Sequence, residues 1–310
     1  MSGGCPFQAG RMQGGFESYT EKIDGRKIRE RSQSFFDHFS QAKLFFNSQS
    51  EAEKNHLTDA LCFEIGKVET LGVRERMIYF LLQIDEGLAA AVAYKTGMHV
   101  PQGLSKPLNQ QVPADADPQA YKSIVKEGSL SRSAALSMAN STMISIQTRK
   151  VAILACDDVR GGEIMAVRRA VENAGGFCEV IAPRLGYLEC SDDHEPIAID
   201  KSLLTTASVF YDAVYVPGGG NHVASLAADA DAIHFLNEAF KHCKPIAAVT
   251  AALPVIAATY FYSKLPDSQQ DPLEEGIIIQ EDARELATVL IEAMKKHRFW
   301  NREKHRKVPA

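Results

Sequence analysis

The sequence predicts an α/β protein: a parallel sheet covered by helices on both faces, preceded by an extended arm and an all-helical segment. Two observations carry the sheet. Runs such as Val151-Ala152-Ile153-Leu154-Ala155 and Pro245-Ile246-Ala247-Ala248-Val249 are too uniformly apolar to turn one side to water, as expected of strands buried on both faces. They alternate with amphipathic stretches of helix length, and strand–helix alternation implies the crossovers that make neighbouring strands parallel. A third observation sets the N-terminal part aside: residues 50 to 97 follow the helical period instead.

Residues 1–48 hold seven of the fifteen Phe (Phe7, Phe16, Phe35, Phe36, Phe39, Phe45, Phe46) but few aliphatics and no sustained period. A segment of that kind reads as an arm lying on another surface, or as a loop-rich start to an ordinary domain. In 49–100, Ser50-Glu51-Ala52-Glu53 is a capping box, in which the Ser oxygen takes a first-turn amide and the Glu reaches back. Leu57, Leu61, Ile65 and Val68 follow at helical spacing. A second helix is expected to carry Met77, Leu81, Ile84, Leu88 and Val92 on one face and to stop at Gly97 and Pro101. Two such helices cannot enclose a full core, so their stripes need another layer. Residues 101–149 are a linker by composition, with Pro101, Pro107, Pro113 and Pro118 before a Ser/Ala-rich stretch.

From 150 to 310 the period switches. After the strand at 151–155, a helix over 163–174 turns Ile164, Val167 and Val171 inward, and 176–181 is a second strand. A strand at 213–216 runs into Pro217-Gly218-Gly219-Gly220, then come a helix over 229–242, a strand at 245–249 and a helix from Ala252. Gly276-Ile277-Ile278-Ile279 and a helix over 283–297 close the domain. This order is that of a flavodoxin-like three-layer sandwich.

Composition narrows the function classes. With 310 residues, 45% hydrophobic and 24% charged, the chain suits one or two globular domains, and a net charge of -5 argues against nucleic acid as a partner. Six scattered cysteines (Cys5, Cys62, Cys156, Cys178, Cys190, Cys243) form no C-x-x-C pair, so reduced thiols are expected and no metal site is signalled. Met1-Ser2-Gly3-Gly4-Cys5-Pro6 is no secretory leader, and no apolar run approaches the ~20 residues of a membrane span. The expectation is a cytoplasmic chain without a membrane partner.

Residues 14–46, from Gly14-Gly15-Phe16-Glu17-Ser18-Tyr19 through Arg29-Glu30-Arg31-Ser32 and Asp37-His38-Phe39-Ser40-Gln41-Ala42 to Leu44-Phe45-Phe46, resemble the stretch after the haem-binding barrel of catalases. Phe46 stands where a Trp is common. The ending His297-Arg298-Phe299-Trp300-Asn301-Arg302-Glu303-Lys304 with Val308-Pro309-Ala310 is similar to that of large-subunit catalases. Residues 150–310 resemble the class I glutamine amidotransferase-like superfamily, which includes PfpI-type proteases, stress chaperones and the C-terminal domain of large-subunit catalases. The matching residues are the Pro217-Gly218-Gly219-Gly220 turn, the acidic Glu163 and the elbow Ala248-Val249-Thr250-Ala251-Ala252. At that elbow the superfamily's enzymes carry a nucleophilic Cys served by a His shortly after it; here Thr250 stands there, and no His occurs between Cys243 and Lys296.

The resemblance implies haem-dependent breakdown of hydrogen peroxide to water and oxygen in the complete family member, with a homotetramer as the assembly. Its tyrosinate-bearing Arg-x-x-x-Tyr-x-Asp-Thr run and its distal Arg-Glu-Arg-x-x-His run do not occur in the 310 residues. Residues 1–48 are accordingly expected to be a wrapping arm, 49–100 the end of the helical region, 101–149 the linker and 150–310 the flavodoxin-like domain. The chain is expected to be inactive alone, to bind no haem itself, and to contribute stability, tetramer packing and channel restriction. Self-association is the expected partnership. An alternative is a holdase-type chaperone that takes unfolded proteins; a weaker one is a degenerate PfpI-like hydrolase using Thr250.

Each candidate residue has a plainer role beside the chemical one. Thr250 reads as a structural elbow residue, Glu163 as a first-turn carboxylate meeting the helix dipole, and Gly218, Gly219 and Gly220 as a tight turn or an anion nest. His222, two residues after that turn, lies in the wrong segment to be the elbow's base. His194, His234 and His305 are isolated in sequence and read as surface residues. Cys156 would be a redox thiol only if exposed beside a cation such as Arg160, and inert if buried.

Overall fold

The computed structural model describes residues 5, 7–25, 32–104, 117–123, 130–140, 144–265 and 276–305. Arg29-Glu30-Arg31, Pro107, Pro113 and Val308-Pro309-Ala310 lie outside the described residues, as does the side chain of His305.

The helical part holds α1 (Ser40–Ser48), α2 (Glu51–Gly66), α3 (Leu71–Leu82) and α4 (Glu86–Lys95). Two expectations change. The last nine residues of the 1–48 arm are helix rather than extended chain, because Phe46 and Ser48 are buried once that segment turns inward. The long second helix breaks in two at 83–85, where the Asp85 carboxylate accepts from the Leu88 amide and starts a new helix. The Ser50/Glu53 capping box forms as expected. Three helices, with α1 beside them, then meet in a small core of Phe46, Ile65, Ile78, Leu81, Leu88 and Val92. Glu53 also gathers the end of the linker: it accepts from the Ser137 hydroxyl at 2.7 Å and from the Met138 amide at 2.8 Å. Burial works to raise its pKa, but the bonds from Ser50, Ser137 and Met138 outweigh that and hold it below the ordinary value.

The C-terminal domain holds β1 (Lys150–Leu154), α5 (Gly161–Asn173), β2 (Phe177–Ala182), β3 (Gly186–Leu188), β4 (Ile197–Ile199), β5 (Lys201–Ser202) and β6 (Ala213–Val216). There follow α6 (Gly220–Ala228), α7 (Ala230–Lys241), β7 (Ile246–Val249), α8 (Leu253–Ala257), β8 (Ile277–Gln280) and α9 (Ala283–Lys295). The sheet order is β5-β2-β1-β6-β7-β8, and every pairing in it is parallel. The five longer strands thus run in the 2-1-3-4-5 order of flavodoxin-like folds, with two-residue β5 as an added edge. Residues 151–154, 213–216 and 246–249 are all buried, which is why their sequences show no alternation. α5 packs with α9, and α6 with α7 and α8, as the two helical layers. The antiparallel β3–β4 hairpin is an insertion between β2 and β5.

In such a sheet the strand order reverses between β1 and β6, and the crevice at their carboxyl ends is where ligands ordinarily bind. The elbow after β7 opens onto the same end.

Candidate functional site

Three chain segments meet at that crevice. After β1 the backbone turns through Asp158, which holds a positive φ of 68°. After β6 it passes the glycine turn, where Gly219 has φ +151° and a Cβ would stand 2.2 Å from the Asp158 carbonyl oxygen. Only glycine fits there. After β7, Val249 is still extended, and Thr250–Ala252 forms a tight 3₁₀ turn leading into α8.

The sequence-predicted residues come together. The Glu163 carboxylate, in the first turn of α5, accepts from the Gly218 amide at 2.7 Å and pairs with Arg160 at 3.1 Å. A Cβ on Gly218 would lie 3.1 Å from Glu163 Oε2, 3.2 Å from Val249 Cγ2 and 3.4 Å from Ala251 Cβ, so Glu163, the glycine turn and the elbow share one spot. Thr250 itself is exposed. A free hydroxyl on that turn would need an adjacent base to become a nucleophile.

His222 is fully buried and occupied at both ring nitrogens. Nδ1 accepts from the Cys156 amide at 2.9 Å and Nε2 donates to the Pro217 carbonyl at 3.0 Å, which fixes the tautomer and joins the chain after β1 to the chain after β6. Burial pulls its pKa down to about 4, so it is neutral at pH 7. The Asp158 carboxylate accepts from the Asn221 amide at 2.7 Å, at the start of α6. An anion nest at Gly218–Gly220 therefore has carboxylates of its own chain on the Gly218 and Asn221 amides.

The first turn of α5 is treated alike: Asp192, from the loop between β3 and β4, accepts from the Gly161 and Gly162 amides at 3.0 and 2.9 Å. His194 is half exposed and pairs with Asp192; His234 is exposed. Cys156 is buried, and burial with nearby Asp229 and Asp157 pushes its thiol up to about 11, so little thiolate forms at neutral pH. Sequence reasoning missed Asp158, Asp192 and the double use of His222. The one available signal was a histidine two residues past a glycine turn that opens a helix.

Among the described residues no group of three or more His, Cys, Asp or Glu side chains could hold a metal, and no helix is long and apolar enough to cross a membrane. The two buried tyrosines among the described residues are poor axial ligands for a haem. An axial tyrosine must ionise, yet Tyr211 and Tyr215 both have raised pKa values: burial, then the bond Tyr211 donates to Glu179, raises one, and burial raises the other.

Strand order, glycine turn and the turn after β7 define a flavodoxin-like α/β domain, with Thr250 opening the turn that leads into α8. Residues 147–304 match the family described as the C-terminal domain found in long catalases, and residues 32–96 match the one described as catalase-related immune-responsive. The chain belongs to the family of long-catalase C-terminal domains. It is 35% identical over 302 residues to a catalase of Alkalihalophilus pseudofirmus, covering 97% of this chain and 39% of that protein. It is 34% identical over 306 residues to the catalase HPII of Pseudomonas aeruginosa (98% and 39%) and 31% identical over 300 residues to catalase-2 of Bacillus subtilis (96% and 39%). The chain thus spans about two fifths of the length of these relatives.

Proposed function

We propose that these residues act as the C-terminal part of a large-subunit, haem-dependent catalase whose complete form dismutates hydrogen peroxide to water and oxygen in oxidative stress defence. The observation that carries this reading is that nearly the whole chain aligns, arm, helices, linker and domain in one order, with proteins described as catalases. On this reading the chain contributes stability, tetramer packing and restriction of the channel to buried haem, works in the cytoplasm, and self-associates. It is inactive alone: neither buried tyrosine offers a tyrosinate, and the elbow has a threonine without its base.

The test is to mix the purified chain with hemin and record the absorption spectrum and oxygen evolution from peroxide. We expect no stoichiometric Soret band and no turnover; either signal, at one haem per chain, would overturn the reading.

One observation favours a second role, as a holdase for unfolded proteins. The arm shows apolar side chains to solvent, among them Phe7, Met12, Phe16, Tyr19 and Ile23, more than a folded surface ordinarily gathers in one short segment. An equimolar amount of the chain should then suppress thermal aggregation of a test protein. Unchanged aggregation would remove this role.

A further inference from the structure

The opposite end of the sheet carries a different feature, a pocket of about 290 Å³ between α2 and the C-terminal domain. That volume is at the small end of ligand sites, suited to a mononucleotide-sized molecule rather than a large cofactor. His56 of α2 forms one wall, the residues after α7 another, and Arg298, Trp300 and Glu303 the third. His56 bonds to Glu303 and its ring lies 5.4 Å from that of Trp300, so the helical part and the domain meet here.

Three cationic side chains, Lys241, Lys244 and Arg298, line the pocket against one carboxylate, Glu303, and these cations are unevenly neutralised. Lys241 pairs with Glu238, which also faces His242, whose pKa burial holds below the ordinary value, and the α7 C-terminus accounts for the presence of Lys241. Lys244 and Arg298 differ. Lys244 is buried and donates to the Ser208 carbonyl; Arg298 donates to the His297 carbonyl; neither pairs with a carboxylate among the described residues. The nearby Asp212 is committed to Arg149 and to the Lys150 amide. Burial and then the charge of Arg298 pull the Lys244 pKa down to about 8, as expected where positive charge is crowded. A buried lysine and a half-buried arginine whose hydrogen bonds go to carbonyls, beside an indole ring, complement a dianion attached to a planar ring.

We propose that this pocket binds a small phosphate monoester carrying a planar ring, with the phosphoryl group between Lys244 and Arg298 and the ring against Trp300. The site goes beyond the catalase reading and does not depend on it. Trp300 is the sole tryptophan of the chain, so its fluorescence reports this pocket alone.

The experiment titrates the full chain with AMP, inorganic phosphate and adenosine while following tryptophan emission. AMP should give a saturable change, phosphate should compete with it, and adenosine should bind at least tenfold more weakly. Arg298→Met should weaken AMP about tenfold or more while leaving the thermal transition cooperative. Lys241→Gln, at a cation the site does not use, should weaken AMP less than threefold, which separates a local contact from general charge. No saturable response to AMP, equal binding by Arg298→Met, or equal loss in both variants would each overturn the proposal.

Discussion

The two ends of the parallel sheet are built in opposite ways. At the carboxyl ends of β1 and β6, Glu163 occupies the Gly218 amide, Asp158 the Asn221 amide, and His222 both of its neighbouring backbone groups. At the amino ends, where Lys244 leads into β7 and Asp212 into β6, cations collect faster than carboxylates and a pocket stays open. The place where this topology usually receives a ligand has become structural cement, and the place where it usually has only connections retains binding capacity. Fold alone would point to the wrong end.

Four experiments would break or sharpen this contrast. The largest effect is expected from Gly219→Ala, which would put a Cβ against the Asp158 carbonyl and strain a backbone that L-residues avoid; urea unfolding should show a loss of about 3 kcal/mol or more. A loss under about 1 kcal/mol would mean the crevice is loose rather than cemented.

Acid titration comes next. His222 has its folded pKa depressed from 6.5 to about 4, so the unfolded chain binds the extra proton between those values. Its contribution is fully present above about pH 6.5, falls as pH drops toward 4 and levels off below, by about 3 kcal/mol in all. His222→Gln should lower stability at pH 7 and flatten that window. At the other end Lys244 acts in a different range: its folded pKa is depressed to about 8, so stability should rise between pH 8 and about 10.5 as the unfolded chain gives up its proton. A bound phosphate monoester, by favouring charged Lys244, should shrink that alkaline rise.

Glu163→Gln keeps the acceptor but removes its charge, and should cost about 1 kcal/mol in chemical denaturation. Thr250→Ala should be smallest, within about 0.5 kcal/mol and with no activity to lose, since the side chain is exposed. Loss of a measurable hydrolytic activity in that variant would reopen the elbow as a working site.

Much of the fold was legible because it is written in local chemistry. The capping box at Ser50 and Glu53 and the strands at 151–154, 213–216 and 246–249 depend on neighbours in sequence or on burial from both faces. The break at Asp85 was harder: Ile84 and Leu88 keep the helical period across it, and a single carboxylate on the Leu88 amide decides the matter. The helix from Gly220 was hidden because three glycines read as turn, whereas its start depends on Asp158, 63 residues away. Glu163 and the glycine turn could be named from the sequence, but the bond from the Gly218 amide to the Glu163 carboxylate could not. The cationic pocket had no local signature at all, since His56, Lys244 and Arg298 lie far apart in sequence and are joined only by packing.

Glu53 has a further consequence, for the order of events in folding. Its carboxylate closes the first turn of α2 and also holds Ser137 and Met138, 84 and 85 residues downstream. The first task is local and quick; the second must wait for a long loop to close, which entropy makes slow. The start of α2 should therefore pass through a stage in which the helix is capped but the carboxylate is only half used, and hydrogen exchange at the Met138 amide should report the later, slower moment when the linker comes home.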